Sequence, residues 1–514
     1  MLRRLVGSEM CIRDRYVGVT TYTGNGSNQS ITTGFKPDLV WAKSSNTGTT
    51  PHLLVDSVRG VNKTLSTHTT GAEDDYTSIN GVISSFNRDG FDTGANSDIA
   101  TNGRKFVTWN WKAGGNKGTF NVDDVGYANA SDVGMAVGDQ NSSGYNTSQT
   151  WSNDLSALAG SSLTNPPNGF NGDPDDYADS TNGWSLDLSG HTFGSGSHPI
   201  EVKSGGATSF SVNGTTSLTD PGGGGAKVWY GTHTGEINTI TSSATGASVY
   251  YVKIDGKILV NTGTNLSGLT QYPSIAPTGC SVGTKQGFSI IKYTGTLTGT
   301  PGSGSMPTVP HGLQKKPSFV IAKATVKDAS HDGGDWFVWH HSTSLDFSLD
   351  LNLGAAGNAI SSQGGGNMVA PNTSVFSTPY LSGINAGTGS TYIAYFWHDV
   401  PGLQKFGKYD GNSSIDGPFI ELGFRPALFV MKQTDSTGYW MVYDSSRDLL
   451  NDGSPNYLFW NDAAAEGSGY DLDFLSNGVK LRTSNANFNT TSYVYAAWAE
   501  APAFNLFGAQ SNAR

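Results

Sequence analysis

Three stretches of this 514-residue chain answer one another, and that repetition limits the fold more than any other feature. "GFKPDLVWAK" (Gly34 to Lys43), "LQKKPSFVIAK" (Leu313 to Lys323) and "LGFRPALFVMK" (Leu422 to Lys432) each run from a proline to a lysine six residues on. An aromatic-turn element precedes each: "YTGNG" at Tyr22, "YTGTL" at Tyr293 and "YDGNS" at Tyr409. Downstream come "HLLVDSVRG" (His52), "WFVWHHSTS" (Trp336) and "WMVYDSSRD" (Trp440), then the closing stretches "FVTWNWKAG" (Phe106), "YIAYFWHDV" (Tyr392) and "YVYAAWAEA" (Tyr493). Four elements in one order, three times, make a duplicated unit of about a hundred residues. A unit that long can bury its own core, so the repetition predicts sandwiches in tandem rather than a solenoid.

The repeats also say which residues are core. Aligned on the last tryptophan, Trp111, Trp397 and Trp498 coincide, and four residues earlier stand Val107, Ile393 and Val494. Residues four apart on a strand share a face. Leu39, Phe319 and Leu428 recur after the proline. A tryptophan can be a sugar-stacking platform or a buried stripe; recurrence in every copy predicts the buried stripe. Charged residues are 14% of the chain, against roughly 25% in ordinary soluble domains. Helices draw their exposed faces from Glu, Lys, Gln and Arg, so the scarcity points to strands between Gly and Asn turns. The expected fold is all-β: tandem jelly-roll-like β-sandwiches with a further sandwich inserted.

The resulting map is 16–114 for repeat one, 115–165 for a polar linker, 166–285 for the inserted β-sandwich, 286–402 for repeat two, 403–502 for repeat three and 503–514 for a tail. Within the insert, "SVYYVKIDGKILV" (Ser248 to Val260) reads as a hairpin turning at Asp255-Gly256, a pair suited to a two-residue turn with positive φ. Residues 1–15 stand apart. Glu9, Arg13 and Asp14 break any apolar run a secretory signal would need. "LRRLVGSEMCIRDR" resembles translated sequencing-adapter read-through at the ends of genes assembled from environmental DNA. It is set aside as an artefact, with the expectation that the natural start lies upstream. Without it the net charge moves from −11 to −13 and Cys280 stands alone, so no intrachain disulfide is expected. So acidic a chain is poorly suited to a phosphate backbone or an anionic membrane surface, and no apolar run approaches the roughly 20 residues of a helical span. Neither nucleic acid nor membrane insertion is expected.

Motifs for chemistry are few. "GLQKFGKY" (Gly402 to Tyr409) fits G-x-x-x-x-G-K, but Tyr409 stands where a phosphate loop needs a hydroxyl, and the segment leads into a strand. No nucleophile elbow or zinc helix occurs. His340 and His341 replace the Asp-Ser of the other repeats and are expected on a surface turn. The D-S-x-R elements, Asp56 with Arg59 and Asp444 with Arg447, are expected as carboxylates capping turn amides beside a local ion pair. The candidate metal loop is Asp173, Asp175, Asp176 and Asp179, since calcium takes several oxygens from one loop. "NGDPDDY" resembles the opening loop of discoidin-type jelly-rolls, some of which hold a structural calcium there; the alternative is a solvated loop, and no other cofactor is expected. For a ligand, repeat-specific aromatics of the insert are preferred: Tyr177, Trp184 and Trp229.

The whole pattern resembles a family abundant in marine bacteriophage genomes. Its members carry G-F-x-P-D-L-V-W-x-K, then L-x-D-S-V-R-G, then a strand ending W-x-W-K-A-G-G; here these are Gly34 to Lys43, Leu54 to Gly60 and Trp109 to Gly115. "GFSIIKYTG" (Gly287 to Gly295) also matches. Repeats two and three depart from it, with "WHHSTS" for the D-S-V-R core and "AAWAEAP" for W-K-A-G-G. The resemblance implies a virion location among tail proteins. It leads to the expectation of a non-enzymatic virion structural protein, in a tail fibre or similar appendage, that contacts host surface glycans through multivalent modules as a homotrimer. The alternatives are a decorating module without ligand, a secreted extracellular adhesin, and a glycan-degrading tail spike.

Overall fold

A computed structural model describes residues 16–77, 81–136, 163–164, 177–180, 184–188, 193–242, 246–255, 257–259, 273–296, 306–326, 334–366, 368–387, 389–447, 451 and 453–499. Strands dominate, and the α-helices among these residues are single four-residue turns, Ser97–Ala100 and Ala486–Asn489. The all-β expectation holds. No described helix is long and apolar enough to cross a membrane. The chain divides into two compact units: one within Met1–Ala128, Pro277–Met306 and Leu313–Arg514, the other within Asn129–Ala276 and Pro307–Gly312.

The first unit holds the three repeats, and each builds the same antiparallel sheet. In repeat one the strand order is Val17–Thr23, Lys105–Trp111, Leu39–Ser44, Leu53–Asp56. Repeat two gives Phe288–Thr294, Thr391–Trp397, Phe319–Val326, Phe337–His340, and repeat three gives Gln404–Asp410, Ser492–Ala499, Pro426–Gln433, Met441–Asp444. The closing strand therefore always lies between the first two. The register repeats as well: Trp111 pairs with Leu39, Trp397 with Phe319 and Trp498 with Leu428.

Both faces of these sheets are covered. Behind the main sheet of repeat one lies a smaller sheet, Ser30–Thr32, Gly90–Thr93 and Ile83–Asn87; repeat three repeats it with Phe419–Glu421, Gly478–Leu481 and Leu472–Leu475. Val40, Val55 and Phe91 fill the space between in repeat one, and Phe429, Met431 and Phe474 in repeat three. The other face of every main sheet turns into one common core. Trp109, Trp111, Tyr395, Trp397, Val430 and Trp498 all belong to it. At its centre the three aligned tryptophans meet edge to face, with ring centroids 6.1 Å apart for Trp111–Trp397, 5.4 Å for Trp111–Trp498 and 6.1 Å for Trp397–Trp498, within the range favoured by the ring quadrupoles. The expectation of self-contained sandwiches is corrected here: one face of each repeat's main sheet is buried in a core that all three repeats share.

Two boundaries also move. Phe120–Val122 runs parallel to Cys280–Val282 and extends the sheet of repeat two. The start of the expected linker and the end of the expected insert thus belong to the repeat unit. The second unit is a sandwich. One sheet is ordered Ser185–Asp187, Thr239–Ser242, Phe210–Val212, Thr216–Ser217; the other Lys227–Thr234, Ser197–Gly205, Ser248–Ile254, Lys257–Ile258. In the last pair Asp255 turns with φ of 55°, as the Asp-Gly pair predicts. Residues 1–15 and the tail from 503 lie outside the described residues.

Candidate functional site

The recurring polar residues are tied to the junctions between repeats. The closing lysine of each proline-to-lysine stretch is buried: Lys43, Lys323 and Lys432. Its ammonium needs acceptors, and backbone carbonyls supply them. Lys323 donates to Thr70 of repeat one at 3.2 Å and Gly334 at 2.8 Å; Lys432 donates to Ala355 of repeat two at 2.9 Å and Gln433 at 2.7 Å. Lys43 bonds Ser44 at 2.9 Å. Burial holds Lys43 and Lys432 down to about 8, against the pull of Asp462 and Asp350 respectively.

The D-S-x-R turns do what their spacing predicts and something more. Asp56 Oδ1 accepts the amides of Val58 and Arg59, and its Oδ2 meets the Arg59 guanidinium at 2.5 Å. That same Oδ2 accepts the Tyr395 hydroxyl of repeat two at 2.8 Å. In repeat three, Asp444 Oδ2 holds Arg447 at 2.7 Å and accepts the Trp109 ring N–H of repeat one at 3.2 Å. Tyr395 and Trp109 occupy equivalent places, two residues before the aligned tryptophan. The third equivalent is Ala496, which has no donor, and it faces the junction where His340 replaces the acid. His340 is only 1% exposed, and its Nε2 lies 3.1 Å from the Tyr495 carbonyl. Burial, then His341, lowers it to about 3. The surface-turn expectation fails for His340, which ends a buried strand; His341 beside it is exposed.

The candidates in the insert separate. Asp173, Asp175 and Asp176 lie outside the described residues, and Asp179 falls in the short strand Asp179–Ser180. Among the described residues no group of three or more His, Cys, Asp or Glu gathers as metal ligands. Trp184 and Trp229 are each 2% exposed and pack on either side of Phe210, at 5.4 and 5.3 Å between centroids, in the middle of the sandwich core. Buried rings offer no face to a sugar, so both are corrected to core. Tyr177 is 41% exposed.

Tyr177 belongs to a larger patch that the sequence reading missed. Its ring lies 4.8 Å from Tyr250, and the Lys203 ammonium sits 4.8 Å above the Tyr250 centroid. On the strand Ser197–Gly205, Glu201 and Lys203 face outward while Val202 enters the core. Glu201 stands opposite Tyr230 and Lys253, and Lys203 opposite Tyr251. Tyr230 is 51% exposed, and Lys253 reaches Glu201 at 3.5 Å and the Tyr251 ring at 4.8 Å. One sheet face thus carries tyrosines with ammonium groups laid over them, a cation–π arrangement. The signal was available: Trp229 and Tyr230 are neighbours on a strand, so only one could face the core.

A family model described as a domain of unknown function matches residues 13–170 and 263–502, most of the chain and both sides of the inserted sandwich. No curated protein matches the chain at a significant level.

Proposed function

We propose that this chain, which belongs to the DUF7483 family of unknown function, is a non-enzymatic structural protein of a virion appendage. In this reading the three-repeat unit is a rigid scaffold, and the inserted sandwich turns its tyrosine-bearing face to carbohydrate on a host surface. The observation that carries it is the Tyr177–Tyr250–Lys203 stack, left accessible in a chain whose recurring aromatics are buried. A sugar ring stacks its C–H face on an aromatic face, and a neighbouring ammonium bonds its hydroxyl or acidic groups. The repeats share a core, so multivalency would come from copies of the chain rather than from repeats, and cyclic association as a homotrimer supplies it.

The test is binding of the purified protein to host envelope glycans, with Tyr177→Ala/Tyr250→Ala as the partner variant. We expect saturable binding that the double variant reduces at least tenfold with an unchanged melting temperature. Binding that ignores the double variant removes the face from the account. Binding to no host envelope leaves the decorating role, and steady release of reducing ends would replace the reading with a glycan-degrading enzyme.

A further inference from the structure

The three junctions between repeats are not equivalent, and the odd one is open. Glu73 of repeat one places its backbone amide on the Thr325 carbonyl of repeat two, 3.0 Å away, and its carboxylate on Arg59 at 3.2 Å. Repeat three repeats this against repeat one, with Glu466 on the Ser45 carbonyl at 2.7 Å and on Arg447 at 3.5 Å. Thr325 and Ser45 each stand two residues after the buried lysine. At the remaining junction the amide that meets Thr434, the third such residue, is that of Gly357, at 3.0 Å. Position 357 has no room for a carboxylate, because a Cβ there would lie 2.1 Å from the Phe347 ring. The arginine is missing too: Thr343 occupies its place in the turn. The ion pair that fills two junctions is therefore absent from the third.

A pocket of about 210 Å³ opens there, between the turn of repeat two and the strands of repeat three. Ser342, Thr343 and Phe347 line one side, and Lys408, Thr434 and Ser492 the other. Thr343 Oγ1 donates to the His340 carbonyl at 2.7 Å, and Thr434 Oγ1 to the Ser492 carbonyl at 3.1 Å. A hydroxyl that donates keeps lone pairs to accept with, so these groups present acceptors to a ligand rich in O–H donors. Lys408 is exposed and makes no ion pair with any described residue. Among the described residues no carboxylate lines the space; Asp410 Oδ1, beside it, accepts the Ser492 hydroxyl at 2.6 Å. One water needs roughly 10–15 Å³ of such volume, so the space is large enough for a sugar ring.

We infer that this junction is a binding site for a carboxylate-bearing monosaccharide, free or at the end of a chain. The hydroxyls accept from the sugar's O–H groups, the Phe347 ring covers its C–H face, and Lys408 meets the carboxylate. The site is separate from the tyrosine face of the inserted sandwich and stands or falls without it.

The experiment is a calorimetric titration of the whole chain with glucuronate and galacturonate, with glucose as the neutral control. At least one uronate should bind saturably and glucose at least threefold more weakly, since an exposed ammonium–carboxylate pair gives a factor of a few. Lys408→Gln should bring the uronate to the level of glucose. Thr343→Arg, which restores the side chain of the other two turns, should abolish binding of both when it is added to the Tyr177→Ala/Tyr250→Ala chain, in which the tyrosine face is silenced. If Thr343→Arg does not fold, Lys408→Gln alone decides. No saturable uronate binding, or binding undiminished in Lys408→Gln, overturns the assignment.

Discussion

At the residue scale, the buried lysines give the repeat unit a distinctive response to pH. Lys43 and Lys432 are held down to about 8 by burial, against an ordinary value near 10.5. Above pH 8 the unfolded chain therefore keeps protons on these lysines that the folded chain has released. Stability rises with pH wherever the unfolded state binds more protons. Near pH 10 the sign reverses, because burial pushes Tyr293, Tyr395 and Tyr409 upward and the unfolded tyrosines ionise first. We expect the melting temperature to climb from pH 8 to about 9.5 and fall beyond it; a steady fall from pH 7 to 10 would contradict the lysine burial. The recurring lysine was visible in the sequence, but its burial was not. Nothing local tells an exposed strand-end lysine from one whose ammonium meets carbonyls of the next repeat. The Asp-Ser-x-Arg turn shows the same limit. Its spacing predicted the Asp56 Oδ1 caps on Val58 and Arg59, three residues or fewer away. The Tyr395 hydroxyl on Oδ2 comes from 339 residues along the chain.

At the element scale, the two units carry different strand patterns, and both were legible. Within Phe319–Val326 and Pro426–Gln433 the apolar runs at 319–322 and 426–431 are buried at every position; such runs mark strands covered on two faces. A repeat of about a hundred residues is long enough for a private core, which is why the length points to self-contained sandwiches. Ser197–Gly205 alternates instead, as a sandwich strand should. That alternation decides between neighbouring rings. Trp229→Ala should destabilise the inserted sandwich by about 3–5 kcal/mol, the usual loss for a buried large aromatic, whereas Tyr230→Ala should stay within about 0.5 kcal/mol. Thermal melting of the two variants checks this, and equal effects would undo the assignment of faces.

At the scale of the whole molecule, the three repeats amount to one structure. Ring N–H groups at equivalent positions reach from each repeat to another: Trp336 to the Ser66 carbonyl at 3.2 Å, Trp440 to Asp350 at 3.0 Å and His52 to Asp462 at 2.9 Å. Trp41 donates to His52 Nδ1 at 3.1 Å, which leaves His52 Nε2 to carry the proton toward Asp462. With Trp111, Trp397 and Trp498 at the centre, no repeat can lose its sheet without exposing the rings of the other two. The most direct test is native-state hydrogen exchange along the closing strands Lys105–Trp111, Thr391–Trp397 and Ser492–Ala499 of the whole chain, with and without Trp498→Ala. The best-protected amides of all three strands should open with one common free energy, and the substitution should lower it by about 3–5 kcal/mol in all three alike. Protection lost in Ser492–Ala499 alone, with the other two strands unchanged, would contradict a shared core.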